Sequence, residues 1–465
     1  KYTSKDNPLR IWGVQGFDSP RVVGGLTKYA VRVTEPLQVI AELERAWQIS
    51  ITGRPGPVWV DIPMNIQSAI IDTDDLVQYD EPIPPPPGPS SDDLQAVLAA
   101  LKTAERPLLW LGSGIRLAGA ERQAKEFIDR LGIPALVSWA GIDLIDSNHP
   151  LNYGRAGVYG QRCANFVLQN CDFLLTIGTR LAIPQIGYDI EEFAREAKIA
   201  VVDIDRAEAT KFGSRVNTSI VSDAGAFMSR MLEQLSETEL PSCRKWIEQC
   251  DDFRHRYPWV DKEHADQPPY INSYRFMEKL SGHLKDDQVI VTDMGTALLS
   301  GYQTLRLKSG QRLMTSTGLG EMGFGIPGAI GASFASNKGE VLCLNCDGGM
   351  MMNLQELQTI AHHRLPIKLI IFNNDGYLMI KHTQKALFGD RKSGTDRTSG
   401  VSCPNFSALA AVFGFPAFTI DSWDDFDRTL PELQAVEGPA ICEVSMHPNQ
   451  LFSPKLSVAT QLDGA

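Results

Sequence analysis

Asn345-Cys-Asp-Gly-Gly-Met-Met-Met-Asn353, continued by Leu369-Ile-Ile-Phe-Asn-Asn-Asp-Gly-Tyr377, decides how this chain is read. In front of it, Glu340-Val-Leu-Cys-Leu-Asn345 is a short apolar run suited to a buried parallel strand, so Asp347 falls where that strand ends and the chain turns. Gly348 and Gly349 let backbone N–H groups approach a phosphate closely. Asn353-Leu-Gln-Glu-Leu-Gln-Thr-Ile-Ala361 carries Leu354, Leu357, Ile360 and Ala361 at helical spacing, which predicts a helix whose N-terminus lies near the glycines. Pro366-Ile-Lys-Leu-Ile-Ile-Phe372 reads as the next buried strand, closed by Asn373-Asn374. Two adjacent parallel strands would bring Asp347 and Asn374 to one sheet edge, where open α/β sheets bind ligands. A carboxylate, a side-chain amide and a backbone carbonyl form an oxygen-only donor set that suits Mg²⁺ shared with a phosphate. Asp and Asn are also common in plain strand-end turns, so from these residues alone both readings stay open.

The pattern Asp-Gly, a helix with Asn-x-Gln-Glu-Leu, then Asn-Asn is similar to the cofactor motif of thiamine diphosphate enzymes of the acetohydroxyacid (acetolactate) synthase-like family. The resemblance implies an α/β chain of the three-domain thiamine diphosphate-enzyme architecture, with parallel sheets flanked by helices. It implies further that Asp347, Asn374 and the main-chain carbonyl of Gly376 ligate Mg²⁺ and bridge it to the diphosphate, with Gly348, Gly349 and Tyr377 beside them. The family usually has Gly-Asp-Gly where this chain has Cys346-Asp347-Gly348. That departure keeps the ligand and the glycines and is expected only to stiffen one backbone position.

A chain of 465 residues has room for roughly two to four domains. Hydrophobic residues at 43% and charged residues at 22% are ordinary for a globular protein in water. A formal charge of −12, from 44 basic and 56 acidic residues, argues against non-specific binding to nucleic acid or to anionic membranes. No run of about 18 apolar residues and no charged-then-apolar opening occurs, so neither a membrane span nor secretion is indicated and a cytoplasmic protein is expected. The eight cysteines sit mostly in apolar runs, as Cys343 and Cys442 do, and read as reduced core thiols. Cys343-Leu-Asn-Cys346 is formally a C-x-x-C, but on a strand its sulfurs splay apart and no second pair follows, which argues against zinc or redox use. The chain opens on Lys1, without Met, in the middle of what reads as a domain, so further sequence is expected upstream.

Residues 1–67 contain an irregular opening, a helix around Pro36-Leu-Gln-Val-Ile-Ala-Glu-Leu-Glu-Arg-Ala46 and the strand-like Pro57-Val-Trp-Val-Asp-Ile62. One helix and one strand cannot bury a core of their own. The resemblance makes them the C-terminal part of the family's pyrimidine-binding domain, with Gln15, Asp18 and Thr27-Lys28 at matching places. In that family a glutamate from the early part of this domain activates the cofactor; no position here matches it, so no catalytic residue is assigned. Residues 68–91 form a linker, because the prolines of Glu81-Pro-Ile-Pro-Pro-Pro-Pro-Gly-Pro89 favour extended polyproline II. Ser91-Asp92 is expected to cap a helix over 94–101.

Residues 92–235 alternate helices with the strand-like runs Pro107-Leu-Leu-Trp-Leu-Gly112, Pro134-Ala-Leu-Val137, Phe173-Leu-Leu-Thr-Ile-Gly178 and Ile199-Ala-Val-Val-Asp203, the mark of a central, Rossmann-like parallel domain. Gly112-Ser-Gly114 lacks the third glycine of a dinucleotide fingerprint and reads first as a plain turn. The resemblance implies FAD here, or ADP in some relatives, with Gly112, Gly114, Arg180 and Asp203-Ile-Asp205 at comparable positions. Gly154-Arg-Ala-Gly-Val-Tyr-Gly160 differs from the Met-His-Gly run that touches flavin in the family.

Residues 236–269, with Trp246, Tyr257 and Trp259, read as a connection to the diphosphate-binding domain over 270–450. There Gln288-Val-Ile-Val-Thr-Asp-Met-Gly295 is a strand leading into a turn, and by resemblance Gly295-Thr296 cradles the diphosphate. Ser316-Thr-Gly-Leu-Gly-Glu-Met-Gly-Phe-Gly325 has the glycines of a loop that brings backbone against a ligand. By resemblance the Gly320 carbonyl accepts a hydrogen bond from the cofactor and Met322 wedges beneath it. Tyr377-Leu-Met-Ile-Lys-His-Thr-Gln384 would start a helix over the mouth of the site. The family's Trp that selects a second keto acid is replaced by Thr383, and its Gln-His-Gln run by Ala297-Leu-Leu299; both departures argue against branched-chain amino acid synthesis. His362-His363 read as helix-surface residues. Gly438-Pro-Ala-Ile-Cys-Glu-Val444 echoes Gly56-Pro-Val-Trp-Val-Asp-Ile62, as fits a family whose first and third domains share a fold. The tail 451–465 is expected to be irregular and free to fold over the active site.

The expected function is thiamine diphosphate- and Mg²⁺-dependent decarboxylation and carboligation of a 2-keto acid, with pyruvate as donor, a carbonyl compound as acceptor, and a homodimer or homotetramer as the working form. The alternatives are a catalytically silent thiamine diphosphate-binding or regulatory homologue, a simple 2-keto acid decarboxylase, and a nicotinamide dehydrogenase resting on Gly112-Ser-Gly114.

Overall fold

A computed structural model describes residues 17–389 and 391–456; Gln15 and the last part of the tail, 457–465, lie outside the described residues. Among the described residues, strands gather into three sheets in which every named pairing is parallel, each strand running into a helix or turn that returns over a sheet face.

The first sheet has two strands, β1 (Tyr29–Arg32) and β2 (Val58–Asp61). Strand β1 was not anticipated, because Tyr-Ala-Val-Arg is too short and too mixed to show a period. It is braced by Arg32, which holds Asp61 at 2.8 Å and Asp18 at 3.4 Å. Lys28 closes the helix Val39–Ile51 by donating to the carbonyls of Ile49, Thr52 and Arg54, the favourable place for a cation.

The second sheet, in the order β4-β3-β5-β6-β7, is built from β3 (Pro107–Leu111), β4 (Ala135–Val137), β5 (Phe173–Ile177), β6 (Lys198–Asp203) and β7 (Thr218–Val221). Leu109 and Leu111 of β3 pack into one apolar layer, Leu108 and Trp110 into the other, as the two-residue period of a doubly covered strand requires. The helix leading into this sheet is Ser91–Thr103, and its cap is Ser90, one residue before the expected position, in a reciprocal capping box with Asp93. The stretch expected as a connection over 236–269 carries the helix Arg244–Arg256, whose Trp246, Cys250 and Phe253 belong to the core of this sheet; its polar outer face hid the apolar stripe.

The third sheet has the order β12-β13-β11-β10-β8-β9: β8 (Val289–Thr292), β9 (Arg312–Met314), β10 (Val341–Cys346), β11 (Ile367–Asn373), β12 (Ala417–Ile420) and β13 (Ala440–Ser445). Both β10 and β11 are interior strands, with Cys346 opposite Phe372. Along β10, Leu342, Leu344 and Cys346 enter one core layer while Val341 and Cys343 enter the other, so the two sulfurs of the formal C-x-x-C lie on opposite faces. Among the described residues no helix is long and apolar enough to cross a membrane.

Candidate functional site

Interior strands end in the middle of a sheet edge, and the adjacent strands β10 and β11 of the third sheet deliver Asp347 and Asn374 there side by side. Helical structure begins at Asp347 itself, in a single turn (Asp347–Met350), followed by a separate helix Leu357–His363. The helix expected from Asn353 is present, a 3-10 turn over Leu354–Glu356 with Asn353 at its cap running into Leu357–His363.

The Asp347 carboxylate is buried, 1% exposed. Its Oδ1 accepts from the Gly348 N–H at 2.7 Å, and its Oδ2 from the N–H groups of Asn374 at 3.0 Å and Gly376 at 2.9 Å. Burial pushes its pKa up to about 6, against the downward pull of those N–H groups and the Lys381 ammonium. Asn374 is buried too; its Nδ2 donates to Thr296 Oγ1 at 3.2 Å, while its Oδ1 has no partner among the described residues. A buried acceptor without a donor is costly unless something electropositive meets it. Among the described residues no group of three or more His, Cys, Asp or Glu converges, so a cation at this edge would be held by one carboxylate and neutral oxygens. A hard ion that keeps waters and phosphate oxygens, Mg²⁺ above all, fits that donor set. Gly376 reaches the edge at φ +131°, where a Cβ would stand 2.2 Å from the Thr395 carbonyl oxygen.

Facing this edge, Gly295 turns at φ +109° into the helix Thr296–Thr304, every residue of which is buried. Cys346, in the place of the family's first glycine, accepts the Ala297 N–H on Sγ at 3.3 Å, and a Cβ on Gly295 would lie 3.2 Å from that sulfur. Its effect therefore goes beyond the expected stiffening of one backbone position: the thiol ties the end of β10 to the first turn of the opposite helix. Ala297, Leu298 and Leu299 are buried, and Ala297 and Leu298 pack into the sheet core.

All ten residues singled out in the sequence, Gly295, Thr296, Gly320, Met322, Asp347, Gly348, Gly349, Asn374, Gly376 and Tyr377, line one cavity of about 320 Å³, together with Met294, Cys346, Leu378, Met379 and Ile380. The glycines are needed for contact. A Cβ on Gly348 would meet Tyr377 Cε1 at 2.5 Å and Met322 Cε at 2.9 Å, and one on Gly320, at φ +64°, would meet Met294 Cε at 2.3 Å.

Two residues escaped the sequence reading. Asp293, fully buried, accepts from the N–H groups of Met294 at 2.7 Å, Gly323 at 2.9 Å and Gly325 at 2.9 Å, and so fastens the glycine-rich loop to the end of β8; burial raises its pKa. Its signal was available, since it follows the apolar run of β8 much as Asp347 follows β10. Lys381, buried in the helix Leu378–Phe388, donates to the carbonyls of Asn374 at 3.3 Å and Pro448 at 2.9 Å. Burial lowers its pKa while Asp396 and Asp347 oppose the shift. Nothing in a lone lysine on an amphipathic helix points to such a place. Thr383, on the same helix, is exposed, and His362 is exposed as expected.

The described part of the tail, 451–456, is irregular as expected. Residues 451–456 run past the far end of the 296–304 helix: Gln303 Nε2 donates to the Pro454 carbonyl at 2.7 Å, and the Leu456 N–H to the Val158 carbonyl at 2.8 Å.

A second cavity, of about 520 Å³, opens at the edge of the central sheet and is lined by Arg54, Pro84, Pro87, Ser113, Gly114, Gly178, Arg180, Asp203 and Glu208 among others. It lies between the ends of β3 and β5, where the strand order reverses and ligands collect in open α/β sheets. The prolines of the expected linker thus form one of its walls. Gly112 and Gly114 have a packing reason, because a Cβ on Gly112 would fall 2.1 Å from the Gly178 carbonyl oxygen. The loop 154–160 is not among the lining residues.

Two family profiles match the chain: "Thiamine pyrophosphate enzyme, C-terminal TPP binding domain" over residues 293–444 and "Thiamine pyrophosphate enzyme, central domain" over residues 94–231. The chain is 30% identical to the acetolactate synthase isozyme 1 large subunit of Escherichia coli (strain K12) over 427 residues, 92% of this chain and 73% of that protein. It is 31% identical to the acetolactate synthase large subunit of Porphyra purpurea over 441 residues, 93% and 73% of the two chains. It is also 31% identical to the probable acetolactate synthase large subunit of Methanocaldococcus jannaschii over 460 residues, 95% and 76%.

Proposed function

The chain belongs to the thiamine pyrophosphate enzymes, in the group of the acetolactate synthase large subunits, and on that premise we propose that it decarboxylates a 2-keto acid, pyruvate first, and joins the two-carbon unit to a carbonyl acceptor. The observation that carries the reading is the pair at the sheet edge, a buried Asp347 carboxylate beside the unpartnered Oδ1 of Asn374.

Asp347, Asn374 Oδ1 and the Gly376 carbonyl would hold Mg²⁺, with the diphosphate taken between this edge and the Gly295-Thr296 turn. Thiamine diphosphate, when bound, supplies a nucleophilic carbon that adds to the keto group and stabilises the charge left when CO₂ departs. The protein's part is placement. The N-terminus of the 296–304 helix offers backbone N–H groups and the positive end of its dipole to the diphosphate. Met294, Met322, Leu378, Met379 and Ile380 give the cavity an apolar wall that excludes water from the reacting centre. Gly320, held against Met294, presents backbone to the cofactor.

With this reading go a homodimer or homotetramer and a cytoplasmic location. Leu319, Met351, Met352 and Ile380, in or next to the cavity lining, are exposed, which supports a partner surface over the mouth. The central cavity is assigned to an adenine nucleotide, FAD or ADP. The test is CO₂ release from labelled pyruvate by the full-length protein with thiamine diphosphate and Mg²⁺, with the products analysed for a carbon skeleton longer than pyruvate. Release with only acetaldehyde formed would leave a simple decarboxylase, and no release with tight cofactor binding would leave a silent homologue.

A further inference from the structure

Arg155 is 1% exposed and, among the described residues, has no carboxylate within ion-pair distance. A buried guanidinium of this kind needs its charge met in some other way; Nε and Nη2 find acceptors, while Nη1 has none among the described residues. Its partners lie in the third-sheet domain: Nε donates to the Tyr302 carbonyl at 2.5 Å and Nη2 to the Leu305 carbonyl at 3.2 Å. Both are carbonyls from the C-terminal end of the 296–304 helix, where the last turn lacks internal partners and the dipole is negative. Gln161 adds a third donor, Nε2 to the Gln303 carbonyl at 2.6 Å, while its Oε1 accepts the Arg155 N–H at 2.8 Å. The loop is shaped for this grip, since a Cβ on Gly154 would stand 1.9 Å from Gln161 Oε1. The flat face of the guanidinium lies over the Trp259 ring, 4.4 Å from its centre. Burial brings the Arg155 pKa down to about 9, which leaves it charged at neutral pH.

We propose that Arg155, supported by Gln161, is a positioning residue for the thiamine site: from the central domain it grips the C-terminal end of the 296–304 helix and so fixes the first turn, with Gly295 and Thr296, that faces the cavity. The inference rests on the functional reading above for the identity of the ligand. Nine buried residues make a rod of about 13 Å, and a rod held at one end by three charge-assisted or amide hydrogen bonds cannot tilt at the other without breaking them. The grip gives Gly154 and Arg155 of the loop 154–160 a structural task.

The test is Arg155→Met, set against Arg312→Met. The control breaks the Arg312–Asp143 ion pair between the same two domains, on β9 and away from the helix. In the full-length protein, Arg155→Met is expected to raise the apparent KM for thiamine diphosphate roughly tenfold, with kcat at saturating cofactor within about twofold, because a terminal charge and its hydrogen bonds carry effects of that order. Arg312→Met should lower Tm without moving that KM. Amide hydrogen exchange over 296–304, measured without cofactor, should speed up in Arg155→Met and not in Arg312→Met. If Arg155→Met does not fold, Arg155→Lys, which keeps the charge and loses the fork, should show a smaller rise of the same kind. Unchanged KM and exchange at Arg155, or an equal KM rise in Arg312→Met, would overturn the proposal. A wild-type protein that fails to bind thiamine diphosphate would overturn the functional reading instead, and the exchange measurement would still decide the grip.

Discussion

Asn374 gives its backbone N–H to Asp347 Oδ2 at 3.0 Å and keeps its own side-chain oxygen, buried and without a partner, beside that carboxylate. One residue thus orients the carboxylate and, on the proposed reading, would supply a neutral ligand beside it. Asn374→Ala removes the orphaned oxygen and a single hydrogen bond to Thr296. It should cost at most about 1 kcal/mol of folding stability while abolishing Mg²⁺-dependent cofactor binding, as followed by calorimetry beside thermal unfolding.

Asp347 sets a pH dependence whose sign follows from burial. Its folded-state pKa of about 6 lies above the ordinary value of 3.8, so in the metal-free protein it contributes most to stability at acid pH, and this contribution is lost as pH rises through about 6. Above that the buried charge costs on the order of 3 kcal/mol. Asp347→Asn should therefore raise the Tm of the metal-free protein at pH 8. For metal binding the sign is reversed: cofactor binding should weaken as pH falls below about 6, because a protonated carboxyl is a poor ligand for Mg²⁺.

Lys381 places an ammonium near that carboxylate and donates to the Asn374 carbonyl. Lys381→Met takes away the charge that favours ionised Asp347. The pH at which cofactor binding is lost should move upward, by up to about one unit, and titrations at several pH values with Mg²⁺ in excess would show it.

Gly376 has no room for a side chain, with φ +131° and the Thr395 carbonyl where a Cβ would go. Gly376→Ala should cost more than about 2 kcal/mol through strain and overlap and should lower cofactor affinity with it. Gly389→Ala, at a positive φ with open space around it, should cost less and leave affinity intact.

The site was legible in the sequence because its parts sit at the ends of long apolar runs. Val341–Cys346 and Ile367–Asn373 are long enough to be recognised as buried strands, and their last residues then had to share an edge. Short elements such as β1, β9 and β12 carry too few residues for a period to show, and they form because neighbouring strands offer pairing. Asp293 and Lys381 were passed over for a related reason. Their roles lie in which backbone groups they reach, and Gly323, Gly325, Asn374 and Pro448 come to them only in the fold. The tail's irregular pattern says nothing about destination, which over 451–456 His264, Gln303 and Val158 decide by hydrogen bonds.

The central claim is that the Asp347–Asn374 edge holds thiamine diphosphate through Mg²⁺. Calorimetric titration of the full-length protein with thiamine diphosphate, with Mg²⁺ and then with chelator, and repeated on Asp347→Asn, tests it most directly. Saturable binding by the wild type that disappears with chelator and in Asp347→Asn is the predicted result. Binding that persists in either case, or no binding by the wild type with Mg²⁺ present, would contradict it.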